Sequence, residues 1–303
     1  MRGSNLRCTI HSVTAEDFRD FRLTLSNVVE RDMANWRDRY AGLDIADVTA
    51  AVRELLADGE PRTAKAIGEA LQPQFPQAHR EGLSHCARIH VPMVMTPTDH
   101  RLGYPRPPLL MLAESWLGGP LSPATPGAKS ELLRRGIAAI GPASTADLRT
   151  WSGMTGVKEA LEPLLPELIE FRDVAGRTLY DLPDAPRPRA TTEAPVRFLG
   201  EFDNVALSHA DRARIIDSED ARIFNMSKNG RRAFAILIDG FVRASWQIER
   251  KKDAARIRLS PFHQESRATL DALAAEGEAL LHFLEPDAAT YEVELTKPDL
   301  AAA

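Results

Sequence analysis

The sequence predicts an α+β fold, and three observations carry that expectation. Apolar residues recur at helical spacing through most of the stretch before residue 165. Three helices followed by a two-stranded ribbon occur twice in the same order, and beyond a proline-rich strap, Leu182 to Pro195, short apolar strands are broken by hairpin signals. A chain of 303 residues, 44% hydrophobic and 27% charged, is long enough for two or three small cores and has the balance of a soluble globular protein. No apolar run approaches the roughly 18 residues of a membrane span. Met1 to His11 lacks the apolar core of a signal peptide, so a cytoplasmic location is expected. Cys8 and Cys86, the only cysteines, lack a Cys-x-x-Cys or matching histidine spacing. They read as reduced core thiols, and neither a metal nor a cofactor is expected.

Taken in order, Met1 to Cys8 reads as a ragged start, with Met-Arg-Gly-Ser resembling an expression leader. Thr9 to Val13 alternates as a strand with no earlier partner in the chain: either an edge strand or one whose N-terminal neighbour is missing. Thr14 then caps a helix whose apolar face is Phe18, Phe21, Leu25 and Val28. These elements make a partial segment, 1–43. The next unit, 44–117, has helices from Asp44 to Gly59, Thr63 to Leu71 and about Gln77 to His90, with strands at Val91 to Met95 and Arg101 to Tyr104. The order returns in 128–183: helices from Lys129 to Ile140, Ser144 to Trp151 and Gly156 to Leu165, then a hairpin of Leu168 to Arg172 with Arg177 to Leu182. Three helices and a ribbon is the winged helix-turn-helix order, so the chain is read as tandem winged helix-turn-helix units. The closing domain, 196–300, reads as antiparallel and barrel-like. Its strands are Ile223 to Met226, Ala233 to Ile238, Phe241 to Glu249, Arg256 to Pro261 and Tyr291 to Thr296, with a helix at Gln264 to Leu284.

Charge concentrates in two places. Val196 to Ile216 packs Glu201, Asp203, Asn204, His209, Asp211, Arg212 and Arg214 beside apolar residues. Such a junction either pairs its carboxylates with arginine or turns them towards a cleft. The net charge is −5, yet ten basic residues between Arg222 and Arg258 face three acidic ones, a local +7. A uniformly basic nucleic-acid coat is thereby disfavoured, and a local contact is not.

Four motifs in one order carry a family resemblance: Gly141 to Gly153, Phe171-Arg-Asp with Leu179-Tyr-Asp-Leu-Pro183, Phe198 to Asn204 with Ser208-His-Ala-Asp-Arg212, and Asp239-Gly-Phe-Val through Trp246. They resemble the winged-helix DNA-binding proteins that include the AlkZ- and YcaQ-like DNA glycosylases, from Leu6 to about Val293. The resemblance implies tandem winged helices closed by a C-terminal β domain, and excision of alkylated bases, some from interstrand crosslinks. The expected partner is double-stranded DNA, alkylated in the substrate, with no membrane and a monomeric chain.

Members of that family carry Gln-x-Gln or Gln-x-Asp upstream of the position matched by Thr9-Ile10-His11, and the chain is expected to start too late to contain it. Gln72-Pro73-Gln74 matches by letter, but lies between helices and reads as a loop. Since a cationic alkylated purine leaves readily, the chemistry chiefly needs a polar group that holds water and stabilises an oxocarbenium-like sugar. The candidates are Asp203, Glu201 and His11. Contacts with DNA are expected from Gln77, His79, Arg80, Ser84 and Arg88 on one third helix, and from Lys158 on the other, where Glu159 and Glu162 oppose phosphate. A hairpin from Ile223 to Ile238, tipped by Lys228, Arg231 and Arg232, is the stronger electrostatic probe. The alternative reading is a non-enzymatic DNA-binding or regulatory protein.

Overall fold

The computed structural model describes residues 1–99, 103–225 and 234–296, the side chains of residues 32–35, 37 and 225 excepted. The chain divides into two units, Met1–Pro183 and Asp184–Ala303.

The first unit begins with β1 (Arg2–Ser4) and β2 (Ile10–Ser12), which pair antiparallel with Gly3 opposite His11. Arg2–Ser4 is thus a strand where a ragged start was expected, and the strand after Thr9 pairs with it within the chain. Glycine is needed here because a Cβ at Gly3 would lie 2.8 Å from the buried Phe18 ring. Thr14 caps α1 (Ala15–Phe21), its hydroxyl accepting from the Asp17 amide at 3.1 Å, and α2 (Ser26–Glu30) continues the apolar face. A 3-10 segment, Arg31–Tyr40, leads to α3 (Ile45–Leu55), capped by Asp44. Next come β3 (Arg62–Thr63), α4 (Ala64–Leu71), α5 (Arg80–His90), β4 (Met93–Met95) and β5 (Leu109–Leu112).

The second strand of this ribbon is therefore Leu109–Leu112; of the expected Arg101 to Tyr104, Arg101 and Leu102 lie outside the described residues, and Gly103 and Tyr104 are not in a strand. Leu109-Leu-Met-Leu buries alternate residues against β4, whereas Gly103 sits at φ 76° in a turn. All five strands join one sheet in the order β2-β1-β4-β5-β3. Val48, Val52, Leu71, Leu83, Cys86 and Leu112 form its helical core.

After α6 (Ala113–Leu117), the order repeats with α7 (Pro126–Ile140), α8 (Thr145–Ser152), α9 (Val157–Leu161) and the hairpin β6 (Ile169–Arg172) with β7 (Thr178–Asp181). Ser144 and Asp147 form a reciprocal capping box at the start of α8, and Gly153 ends it at φ 75°. The third helix is shorter than expected, because Pro163 and Pro166 leave Glu162–Glu167 as a 3-10 segment. Phe21, Leu25 and Val28 share a core with Leu133, Ile137, Leu148 and Trp151.

In the second unit β8 (Arg197–Phe198) precedes α10 (Asn204–Leu207), α11 (Ser218–Asn225), β9 (Phe234–Ile238), β10 (Phe241–Lys251), β11 (Ala254–Pro261), α12 (Arg267–Leu284) and β12 (Thr290–Leu295). The sheet order is β12-β11-β10-β9-β8. Two expectations fail here. Ile223 lies in α11 and not in a strand, because Asp217 accepts from the Asp220 amide and Glu219 and Asp220 favour the positive helix end. The sheet is also not wholly antiparallel, since α12 returns the chain so that β12 runs parallel to β11. Lys228, Arg231 and Arg232 lie outside the described residues, and β9 pairs with β8 instead of with an Ile223 strand.

Candidate nucleic-acid interface and catalytic groups

The exposed side of α5 carries two cations with different surroundings. Its buried side, Leu83, Cys86, Ala87 and Ile89, seats it in the core, and burial pushes the Cys86 thiol up to about 11, which leaves it a neutral packing group. Gly68 admits the close approach of α4, since a Cβ there would collide with the Ser84 hydroxyl, which itself bonds the Arg80 carbonyl at 3.2 Å. Arg80 lies 3.6 Å from Glu69, so part of its charge is spent locally. Arg88 is exposed and has no ion pair or hydrogen bond among the described residues. Gln77 lies in the turn before α5, and His79 at its N-cap; both are exposed. Glu81 pairs with Arg39, whose guanidinium lies over the Trp36 ring at 4.7 Å while that ring stacks on His85 at 4.2 Å. Arg80 and Arg88 are thus the outward cations of α5, with Gln77 and His79 exposed just ahead of it.

On α9, Lys158 is exposed next to Glu159, and both Lys158 and Glu162 line a cleft of about 550 Å³ with Arg177 and Tyr180. Gln72 lines an open cleft with Glu69, His79 and Arg80, and Gln74 is not among the lining residues. The Gln72 side-chain amide donates to the Phe75 and Ala78 carbonyls, each at 3.0 Å, holding the α4 to α5 turn.

The proposed catalytic groups fall in different units. His11, on β2, donates from Nδ1 to the Thr9 carbonyl at 3.0 Å, which leaves Nε2 with the lone pair of the neutral ring. Burial lowers its pKa, against the raising effect of that bond, and Arg7 lowers it further. Asp203 is half-buried and caps α10 by accepting from the Val205 amide at 2.8 Å. Glu201 is exposed, and Phe202 between them holds φ 60° and is 56% exposed, so the turn presents a ring to solvent. Nearby, Arg214 contacts His209 at 3.0 Å and Asp211 accepts from the Ala213 amide, so part of this charged stretch is bonded within itself.

Sequence reading missed one pair. Asp220, 1% exposed on α11, meets His263 Nε2 at 2.5 Å just beyond β11. Burial raises the Asp220 pKa and the His263 bond opposes that rise. The only sequence signal was an acidic residue in a helix's first turn; its partner lies 43 positions away. Among the described residues no group of three or more His, Cys, Asp or Glu gathers in a way that could hold a metal ion.

The basic window also changes meaning in three dimensions. Register sets Arg256 opposite Glu292 and Arg258 opposite Glu294 across the parallel pair, with ion pairs at 2.8 and 3.3 Å, and Arg250 meets Glu285 at 2.7 Å. Three of the ten basic residues, Arg250, Arg256 and Arg258, are thus answered by carboxylates just past α12 and on β12.

Repeated helix-and-ribbon order followed by a five-stranded sheet with one packed helix is a fold found in a solved DNA glycosylase. It is shared with Streptomyces sahachiroi DNA glycosylase AlkZ at a TM-score of 0.66 and 17% identity, covering 98% of this chain and 81% of that one. The family model described as DNA glycosylase AlkZ-like matches residues 1–283, and the chain belongs to the AlkZ-like DNA glycosylase family. Comparison with curated proteins finds none that matches. No helix among the described residues is long and apolar enough to cross a membrane.

Proposed function

We propose that the chain is a cytoplasmic, monomeric DNA-binding protein that hydrolyses the N-glycosidic bond of alkylated bases in duplex DNA. The family match over residues 1–283 carries this reading. Each helix-and-ribbon block is read as a winged helix: α3 to β5 as one, and α7 to β7 as the other. Outward placement of Arg80 and Arg88 on α5, with Gln77 and His79 just ahead of it, supports a phosphate or groove contact, with Lys158 of α9 a lesser one. Asp203 is the first candidate to hold water and stabilise the developing sugar cation, with Glu201 and His11 next.

The test is release of 7-methylguanine from a methylated duplex. Asp203→Ala is expected to lower the rate by about 100-fold or more, and Arg88→Ala to weaken duplex binding without abolishing release at saturating protein. No release from any alkylated duplex, with duplex binding intact, would overturn the enzymatic reading. The second reading, DNA binding without hydrolysis, is favoured by one observation: the Asp203 carboxylate is already committed to the Val205 amide. Under that reading, affinity for undamaged duplex is sequence-selective and falls steeply between about 50 and about 200 mM salt.

A further inference from the structure

A cavity of about 510 Å³ lies within the first unit, between the turn that precedes α2, the first turn of α7, and α9. Its lining carries one charge of each sign. Lys129 of α7 and Glu159 of α9 both line it, yet no ion pair joins them, and neither side chain has an ion pair or hydrogen bond among the described residues. Glu159 bends back over the start of α9, its Oε2 3.7 Å from where a Cβ on Gly156 would stand. Thr125 and Pro126 also line the cavity, so the positive end of α7 favours an anion beside Lys129. Leu23 and Pro163 supply apolar wall. Thr24, part of the same lining, is 6% exposed, and its buried hydroxyl has no hydrogen-bond partner among the described residues. An unanswered buried hydroxyl is costly, and a χ1 rotation exchanges it with the methyl group at the cavity wall.

We propose that this cavity binds a small zwitterion with an apolar body, of the class of an aromatic α-amino acid. Its carboxylate meets Lys129 at the α7 end, its ammonium meets Glu159, and its ring lies against Leu23 and Pro163. The site stands apart from the glycosylase reading and holds whether or not the chain cleaves DNA. Opposite charges that share one cavity without neutralising each other are both answered by an amphoteric molecule. A plain anion, a DNA phosphate included, gains Lys129 but is opposed by Glu159, and a plain cation meets the converse. The volume lies within the range of small-molecule sites and exceeds what glycine or alanine would fill, so there is room for a ring. The second carboxylate oxygen, free of Lys129, accepts from the Thr24 hydroxyl once that has turned.

The test is isothermal titration calorimetry of the full chain with L-phenylalanine, beside N-acetyl-L-phenylalanine, which lacks the cation, and L-phenylalaninamide, which lacks the anion. Each analogue is expected to bind about tenfold or more weakly than L-phenylalanine. Lys129→Gln should weaken L-phenylalanine about tenfold or more and leave the amide unchanged, and Glu159→Gln should weaken it likewise and leave the N-acetyl acid no weaker. Neither side chain is buried, so both variants are expected to fold, and their thermal melts check this. The crossed pattern separates a lost charge from a lost fold, because a misfolded variant would lose every ligand. Absence of heat from L-phenylalanine at about 10 mM, or binding indifferent to both substitutions, would overturn the proposal. So would N-acetyl-L-phenylalanine or inorganic phosphate matching L-phenylalanine in affinity, since either would make Lys129 a plain anion site.

Discussion

Close packing in the first unit is concentrated at single atoms. A Cβ added at Gly136 would lie 2.6 Å from the buried Trp151 ring, so Gly136→Ala forces ring or helix to move. A loss of about 1–3 kcal/mol is expected, read from chemical denaturation. Titration makes a second prediction. Burial lowers the pKa of His11 and of His90; Glu30 partly offsets this at His90, while His85 and Arg22 reinforce it. Well above about pH 6.5 both rings are neutral whether the chain is folded or not. Below it the unfolded chain takes up protons that the folded chain resists, so the melting temperature should drop as pH falls from about 7 to about 5. A chain with His11→Asn and His90→Asn should show a shallower drop, and an unchanged slope would refute the assignment.

Elements announced themselves in the sequence where a local chemical rule decides them. Thr14, Asp44 and Ser144 are oxygen-bearing residues ahead of apolar helical faces, and each caps a helix. Asp239-Gly240 reads as a two-residue hairpin turn, and both residues hold positive φ between β9 and β10. What sequence reading missed depended on distant partners. Arg2–Ser4 is a strand because β2 and β4 flank it, and three residues cannot show that alone. Ile223 and Phe224 look like strand residues, yet their helix is set by Asp217 and anchored by the Asp220 to His263 contact. Asp220→Ala should therefore cost about 1–3 kcal/mol by urea denaturation, and Asp220→Asn less. Equal costs would show that the hydrogen bond, and not helix-end electrostatics, is irrelevant to this anchoring.

At the scale of the whole molecule, two units with separate cores are joined by a strap whose side chains are mostly exposed from Pro183 to Pro195. Limited proteolysis is expected to cut first within residues 184–195 and to yield two resistant fragments; uniform digestion would contradict this. Heat denaturation need not follow one transition for the same reason. Of the candidate site, the outward groups of α5 were legible because helical periodicity separates them from the core. The meaning of the +7 window was not, because Arg256 meets Glu292 and Arg258 meets Glu294 through a parallel register some 36 positions along the chain, beside the Arg258 to Glu249 pair across the antiparallel neighbour.

That parallel closure has a bearing on how the protein is made. Leu273 and Leu281 of α12 complete the core that holds Ile257 and Leu259, and a Cβ added at Gly277 would lie 3.2 Å from Leu259, so glycine lets the helix pack close to the sheet. A ribosome that has delivered residues only as far as His263 has produced a sheet with its oily side uncovered and its last edge open. The second unit is therefore most prone to clump during that interval of synthesis, and chaperone capture there is the natural safeguard.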